Sequence, residues 1–162
     1  KMAEYPTFGD VCLTTGSGVL TPDNVDALLW FREAGFKVNE CYYFMKLDLS
    51  KHQPSEVKTS ADLTFRLKER RIEVTKGDEV LGRILWSPVE EGAPDINIYV
   101  EHKHRGKGLG TILMNETLKE LKKQGAETVE VGVDGNNVPA LKLYRKFGFE
   151  MEHTYFYIIV KC

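Results

Sequence analysis

Apolar and polar residues alternate strictly from Asp95 to Val100. Ile96, Ile98 and Val100 fall on one face, and Asp95, Asn97 and Tyr99 on the other. That period of two marks a strand with one buried face. Just beyond it the period changes. Leu109, Ile112, Leu113, Leu118 and Leu121 recur at helical spacing, Lys119, Lys122 and Lys123 occupy the last turns, and Gly125 follows. This predicts a helix that starts near Gly108. Thr128–Val133 predicts another strand, Asn137–Phe147 a helix closed by Gly148, and Phe149–Lys161 a final β segment. Upstream, Arg70–Trp86 predicts two strands around a turn at Lys76, Gly77 and Asp78. Asp10–Thr15 is a short candidate strand. Thr21 to Gly35 is a helix punctuated by a cap, an early Pro22 and a terminal glycine, and Val38–Leu49 is rich in β-formers. The polar stretch from Lys51, broken by Pro54, reads as a linker, with room for no more than a short helix or loop before Arg70.

The pattern repeats. Asn24, Val25, Ala27, Leu28, Phe31, Arg32, Gly35 and Phe36 align without a gap on Asn137, Val138, Ala140, Leu141, Tyr144, Arg145, Gly148 and Phe149. Two amphipathic helices ending in Gly-Phe would look alike by chance, but the matched asparagine, alanine and arginine favour a duplication. Residues 1–50 then form a partial strand–helix–strand half-repeat, 51–70 a linker, and 71–162 the domain that carries the chemistry. The apolar helix face of the first copy (Val25, Leu28, Leu29, Phe31) must pack on that domain, on a second copy in a homodimer, or on a further N-terminal domain.

Composition narrows the function. The chain has 162 residues, 42% of them hydrophobic, enough for a core. A formal net charge of −2 argues against nucleic acid as a partner. No apolar run approaches the length of a membrane span. Three cysteines, Cys12, Cys41 and Cys162, cannot all pair and form no C-x-x-C motif, which points to a reducing, cytoplasmic setting.

The unabsorbed feature is "HRGKGLGTIL", His104–Leu113. Glycines lead straight into a helix whose first amides lack internal partners and carry partial positive charge. Glycine lets a large anion approach those amides, so the stretch reads as a backbone phosphate cradle, with Arg105, Lys107 and His104 adding charge. It is neither G-x-G-x-x-G nor a P-loop, which disfavours dinucleotides and nucleoside triphosphates. His102 and His104 form H-x-H, but no cysteine or aspartate stands nearby at ligand spacing, so no metal site is expected.

Arg105-x-x-Gly108-x-Gly110 after an alternating strand resembles the acyl-CoA signature of the GNAT superfamily of N-acyltransferases. A second block at family spacing, Asn137-x-x-Ala140-x-x-Leu143-Tyr144-x-Lys146-x-Gly148-Phe149, strengthens the resemblance. It implies an α/β fold with a mixed sheet flanked by helices. The family's fourth strand (Asp95–Val100) and fifth (Thr128–Val133) would splay apart. Acetyl-CoA, as co-substrate, would lay its pantetheine arm in the gap against Ile98, Tyr99 and Val100. Its pyrophosphate would sit on the amides of Arg105, Gly106, Lys107, Gly108, Leu109 and Gly110, with Thr111 at the rim. Asn137 and Tyr144 would face the arm and the thiol. The resemblance also implies two helices between the first and second strands, for which residues 51–70 offer little room. The tandem pattern is similar to two-domain members such as the mycothiol synthase group.

The implied reaction is attack by a primary amine of a small molecule or peptide on an acetyl thioester. Tyr144 matches the family's general acid, and Phe31 at the aligned position of the first copy lacks the hydroxyl. Asp95 is the candidate base, with Glu101 the other choice and a solvated strand-edge aspartate the plain alternative. A CoA-binding regulatory or scaffold module without turnover is the competing function.

Overall fold

The computed structural model describes residues 12–14, 17–20, 25–35, 37–52, 61–89 and 92–159. Nine strands and three helices are defined among them, in the order β1 (Cys12–Thr14), β2 (Ser17–Leu20), α1 (Val25–Glu33), β3 (Lys37–Asp48), β4 (Thr64–Lys68), β5 (Arg71–Lys76), β6 (Glu79–Trp86), β7 (Ile96–Val100), α2 (Leu109–Lys123), β8 (Thr128–Asp134), α3 (Val138–Phe147) and β9 (Glu150–Ile159). The strands form two sheets, ordered β1-β2-β9-β3-β8 and β4-β5-β6-β7. The α/β architecture expected from the sequence is therefore present. Two compact units make up the chain: residues Lys1–Met45, Val133–Leu141 and Met151–Cys162 form one, and Lys46–Gly132 with Lys142–Glu150 the other.

In the first unit, β2 pairs antiparallel with β1 and with β9. Ala27 and Phe31, one turn apart on α1, are buried. Leu29 and Trp30 remain 52% and 54% exposed, so Leu29 does not belong to the buried face assigned to it. The two helices aligned by sequence end alike. Gly35 and Gly148 each adopt φ near +90° (+87° and +90°), and each amide reaches back to the arginine three residues earlier at 3.1 Å. A left-handed glycine is a common way to end a helix. Of the aligned positions, Asn24 and Phe36 lie outside the described residues, as do Thr21 and Pro22.

The second unit is built on the four-stranded antiparallel sheet. Its β5 and β6 cores, Ile72, Val74 and Ile84, are buried, and α2 packs across β5, β6 and β7 with Leu113, Met114, Leu118 and Leu121 inward. Gly82 makes that close packing possible. A Cβ there would stand 2.9 Å from the Tyr99 carbonyl oxygen and 3.2 Å from Leu113 Cδ1.

The stretch between residues 51 and 70 departs from expectation. It was read as linker with at most a short helix or loop, yet Thr64–Lys68 is a strand paired in full with β5. A two-residue turn at Glu69 and Arg70 joins the two, with Glu69 at φ +40°. Phe65 and Leu67 alternate with Thr64, Arg66 and Lys68, a period-2 signal present in the sequence. Residues 53–60 of the expected linker lie outside the described residues.

Candidate active site

The site grows from the edges of β7 and β8. Asp95 and Glu130 form an isolated parallel bridge, and the Glu130 amide donates to the Pro94 carbonyl at 2.9 Å. Beyond this point the strands belong to different sheets, so the gap expected between Asp95–Val100 and Thr128–Val133 opens here.

The hydrogen-bond parity of β7 determines what faces that gap. The Ser87 amide donates to the Asp95 carbonyl at 3.0 Å, and the Glu101 amide to the Leu81 carbonyl at 2.9 Å. Odd-numbered residues thus spend their backbone groups on β6, and by alternation those of Ile98 and Val100 point away from it. Of the three residues expected to meet the pantetheine arm, Ile98 and Val100 offer backbone to the gap and Tyr99 does not. The Tyr99 side chain lies on the opposite sheet face from Ile98, 38% exposed, under the Arg83 guanidinium at 5.4 Å from the ring centroid.

After β7 the chain makes one 3-10 turn, His102–His104, and then enters α2 through Gly106 and Gly108 at φ +74° and +81°. Non-glycine residues rarely adopt this left-handed conformation. No side chain caps α2, and its first backbone bond is Ile112 amide to Gly108 carbonyl at 3.1 Å. The amides of Leu109, Gly110 and Thr111 are therefore left to an external acceptor. Nothing lies within 4 Å of where a Cβ would stand on Gly106 or Gly108. Both glycines therefore border open space at the mouth of α2. Gly110 has a different reason to be glycine: a Cβ there would press on Leu143 Cδ2 at 3.3 Å.

The basic residues around the cradle are tied to the chain. Arg105 Nε donates to the Val100 carbonyl at 3.0 Å, Lys107 Nζ to the Lys103 carbonyl at 3.1 Å, and His104 Nε2 lies 3.1 Å from Glu79 Oε1. Lys103 pairs with the same carboxylate, and hydrogen bonds from Lys103 and His104 bring the Glu79 pKa down to about 2. These contacts fasten the loop to β6.

Asp95 begins β7 with its amide on Ser87 Oγ at 2.9 Å. Burial, and then the neighbouring Glu130 charge, raise its pKa above the ordinary aspartate value of 3.8. Glu130 is itself paired with Lys46 at 3.1 Å. Sequence reading missed Glu130 and Lys46, because nothing in the chain marks a register between distant strands. Glu101, the other base candidate, accepts from the Tyr99 hydroxyl at 3.3 Å. Tyr144 is buried on α3 with its ring 5.6 Å from that of Phe149. Asn137 belongs to the other compact unit, where its Oδ1 caps α3 by accepting from the Ala140 amide at 3.3 Å. Among the described residues no group of three or more His, Cys, Asp and Glu side chains is placed to hold a metal.

Comparison with known proteins assigns this arrangement, a sheet that splits beside a glycine-opened helix, to a family of transferases. The profile of the acetyltransferase (GNAT) family matches residues 37–149, and the chain belongs to that family. The match begins at the first residue of β3. Among curated relatives, the chain is 32% identical over 84 residues to the uncharacterized N-acetyltransferase YvbK of Bacillus subtilis (strain 168), covering 49% of this chain and 54% of that protein. It is 34% identical over 104 residues to a mycothiol acetyltransferase of Kytococcus sedentarius, covering 57% and 34%. It thus spans about half the length of the first relative and a third of the second. A GCN5-related N-acetyltransferase from Sphaerobacter thermophilus shares the fold, with TM-score 0.76 at 18% identity over 86% of this chain and 57% of that one.

Proposed function

We propose that this chain transfers an acetyl group from acetyl-CoA to a primary amine of a small molecule or peptide by direct attack. The observation that carries the reading is the parting of β7 from β8 beyond the Asp95–Glu130 bridge, next to the uncapped start of α2. The residues fit the co-substrate: Gly106 and Gly108 leave open space at the helix mouth, and β7 has a free backbone edge. In this reading the amides from Gly106 to Thr111 hold the pyrophosphate, the Arg105 amide being spent on the His102 carbonyl at 3.3 Å; Ile98 and Val100 pair with the arm, and acetyl-CoA supplies the acetyl group.

The acceptor arrives protonated, since an amine of pKa near 10.4 is free in only about one molecule in 10³ at pH 7. Asp95 takes that proton, directly or through water. Its raised pKa suits it, because a base works best when its affinity for the proton approaches the working pH. Tyr144 donates to the departing thiolate, its phenol being protonated at neutral pH. Among the described residues no helix is long and apolar enough to cross a membrane.

One observation favours the second reading, a CoA-binding regulatory module. Strand β4, Thr64–Lys68, takes up part of the 51–70 stretch where the family resemblance implies two helices. Calorimetry with CoA, alongside thiol release from acetyl-CoA over a panel of amines, separates the two. CoA binding without turnover on any amine supports the module; no CoA binding sinks both.

A further inference from the structure

The four-stranded sheet has two unlike faces. Ile72, Ile84 and Ile98 share the one that α2 covers. The other face is set by register. Lys68, Arg71, Leu85 and Asn97 form one cross-strand row; Arg66, Glu73, Arg83 and Tyr99 form the next. The two rows hold four cations and one carboxylate, in a chain of formal net charge −2. All these side chains except Arg71 and Glu73 are exposed.

Glu73 neutralises part of that charge, pairing with Lys68 at 3.1 Å and Arg71 at 3.2 Å. Asp95 and Glu101 flank this face, Glu101 accepting from the Tyr99 hydroxyl at 3.3 Å, and Arg66 donates to the Gly77 carbonyl at 3.5 Å. Arg83 stacks on Tyr99, and among the described residues no carboxylate lies within ion-pair distance of it. Arg71 Nε–H is buried but is not aimed at Glu73 and has no acceptor. At the turn end of this face is a cavity of about 530 Å³ lined by Lys68, Glu69, Arg70, Arg71, Leu85 and Trp86. Like charges crowded on neighbouring strands cost stability unless a counter-charge is present. An unmatched buried donor adds to that cost.

Asp95 lies on this same face, two residues along β7 from Asn97. Two strand spacings and two residues separate Arg71 from Asp95, about 12 Å between backbones. We propose that the acceptor carries an anionic group, a carboxylate or phosphate, held here by Arg71, Lys68 and Arg83 while its amine reaches Asp95. The group is set several bonds from the amine, unlike the adjacent pair of an α-amino acid. This inference rests on the acetyltransferase reading of the site.

The test uses the full chain and three matched probes: 6-aminohexanoate, 6-aminohexyl phosphate and the neutral 6-aminohexanamide. Binding is measured by calorimetry with CoA present, and kcat/KM by thiol release. At least one anionic probe should exceed the neutral one by about tenfold, the scale of one hydrogen bond to a charged group. The better of the two names the group. Raising the salt concentration should erode the preference, and Arg83→Gln should shrink it with CoA affinity retained. CoA binding without anion preference, including no probe binding, overturns the inference and leaves the cofactor reading standing. Loss of CoA binding in the parent chain overturns the reading beneath it.

Discussion

Asp95 and Glu130 stand opposite each other at the isolated bridge that ties β7 to β8, and the Lys46 ammonium pairs with Glu130 at 3.1 Å. Burial and then the nearby Glu130 charge hold the Asp95 proton more tightly than in an unfolded chain. The joint where the sheet opens is therefore also where a carboxylate has been made more basic.

A shift in activity with pH follows from that pair. If Asp95 is the base, the acid limb of kcat/KM reports its ionisation. Glu130→Gln removes a negative neighbour and should move that limb to lower pH, while Asp95→Asn should abolish it and lower kcat. An acid limb unmoved in Glu130→Gln would remove Asp95 from the role.

The same group makes a stability prediction of opposite sign to an ordinary salt bridge. Folded Asp95 binds its proton more tightly than unfolded Asp95, so the fold loses stability as pH rises from the ordinary aspartate range through the raised value. Asp95→Asn should therefore melt higher than the parent at neutral pH, and the gap should close under acid conditions. Equal melting temperatures at both pH values would contradict the raised pKa.

Gly108 carries the clearest cofactor prediction. With φ at +81°, a β-branched residue is strained there by about 1–2 kcal/mol. Gly108→Val would also fill space kept open at the helix mouth. CoA affinity should fall sharply with far-UV circular dichroism retained. Unchanged affinity in a folded variant would place the pyrophosphate elsewhere.

Tyr144→Phe keeps the ring against Phe149 and removes the phenol hydroxyl. A fall in kcat of about 10²-fold is expected, the low end for general acid catalysis, with CoA binding little changed. If kcat is unaltered when chemistry is rate-limiting, the residue serves packing alone.

Gly82→Ala tests the sheet–helix contact. The new Cβ would meet the Tyr99 carbonyl at 2.9 Å, backbone that cannot swing aside. Destabilisation of about 1–3 kcal/mol is expected from overpacking, read as a lower denaturant midpoint. A midpoint equal to the parent's would mean that β6 and α2 separate freely.

Much of the second unit was legible because its elements announce themselves locally. The alternation in Asp95–Val100, the heptad-like leucines of α2 and the glycines ahead of them each report a backbone state that neighbouring residues decide. β4 was legible too, in Phe65 and Leu67, but its polar surroundings masked a short edge strand. β2, Ser17–Leu20, is short, contains Gly18 and follows Gly16 in the sequence, so it carries no strand signal.

By itself the sequence determined the order of most elements, the glycines Gly106 and Gly108 that lead into α2, and the family motif around Arg105 and Tyr144. These depend on steric freedom and periodicity, which act over a few residues. Tertiary structure decided the rest: that Glu130 meets Asp95, that Arg105 serves the Val100 carbonyl, and that Arg66, Lys68, Arg71 and Arg83 share one face. Those relations depend on strand register, which is set by packing between segments far apart in the chain, and electrostatics then acts on whatever the register brings together.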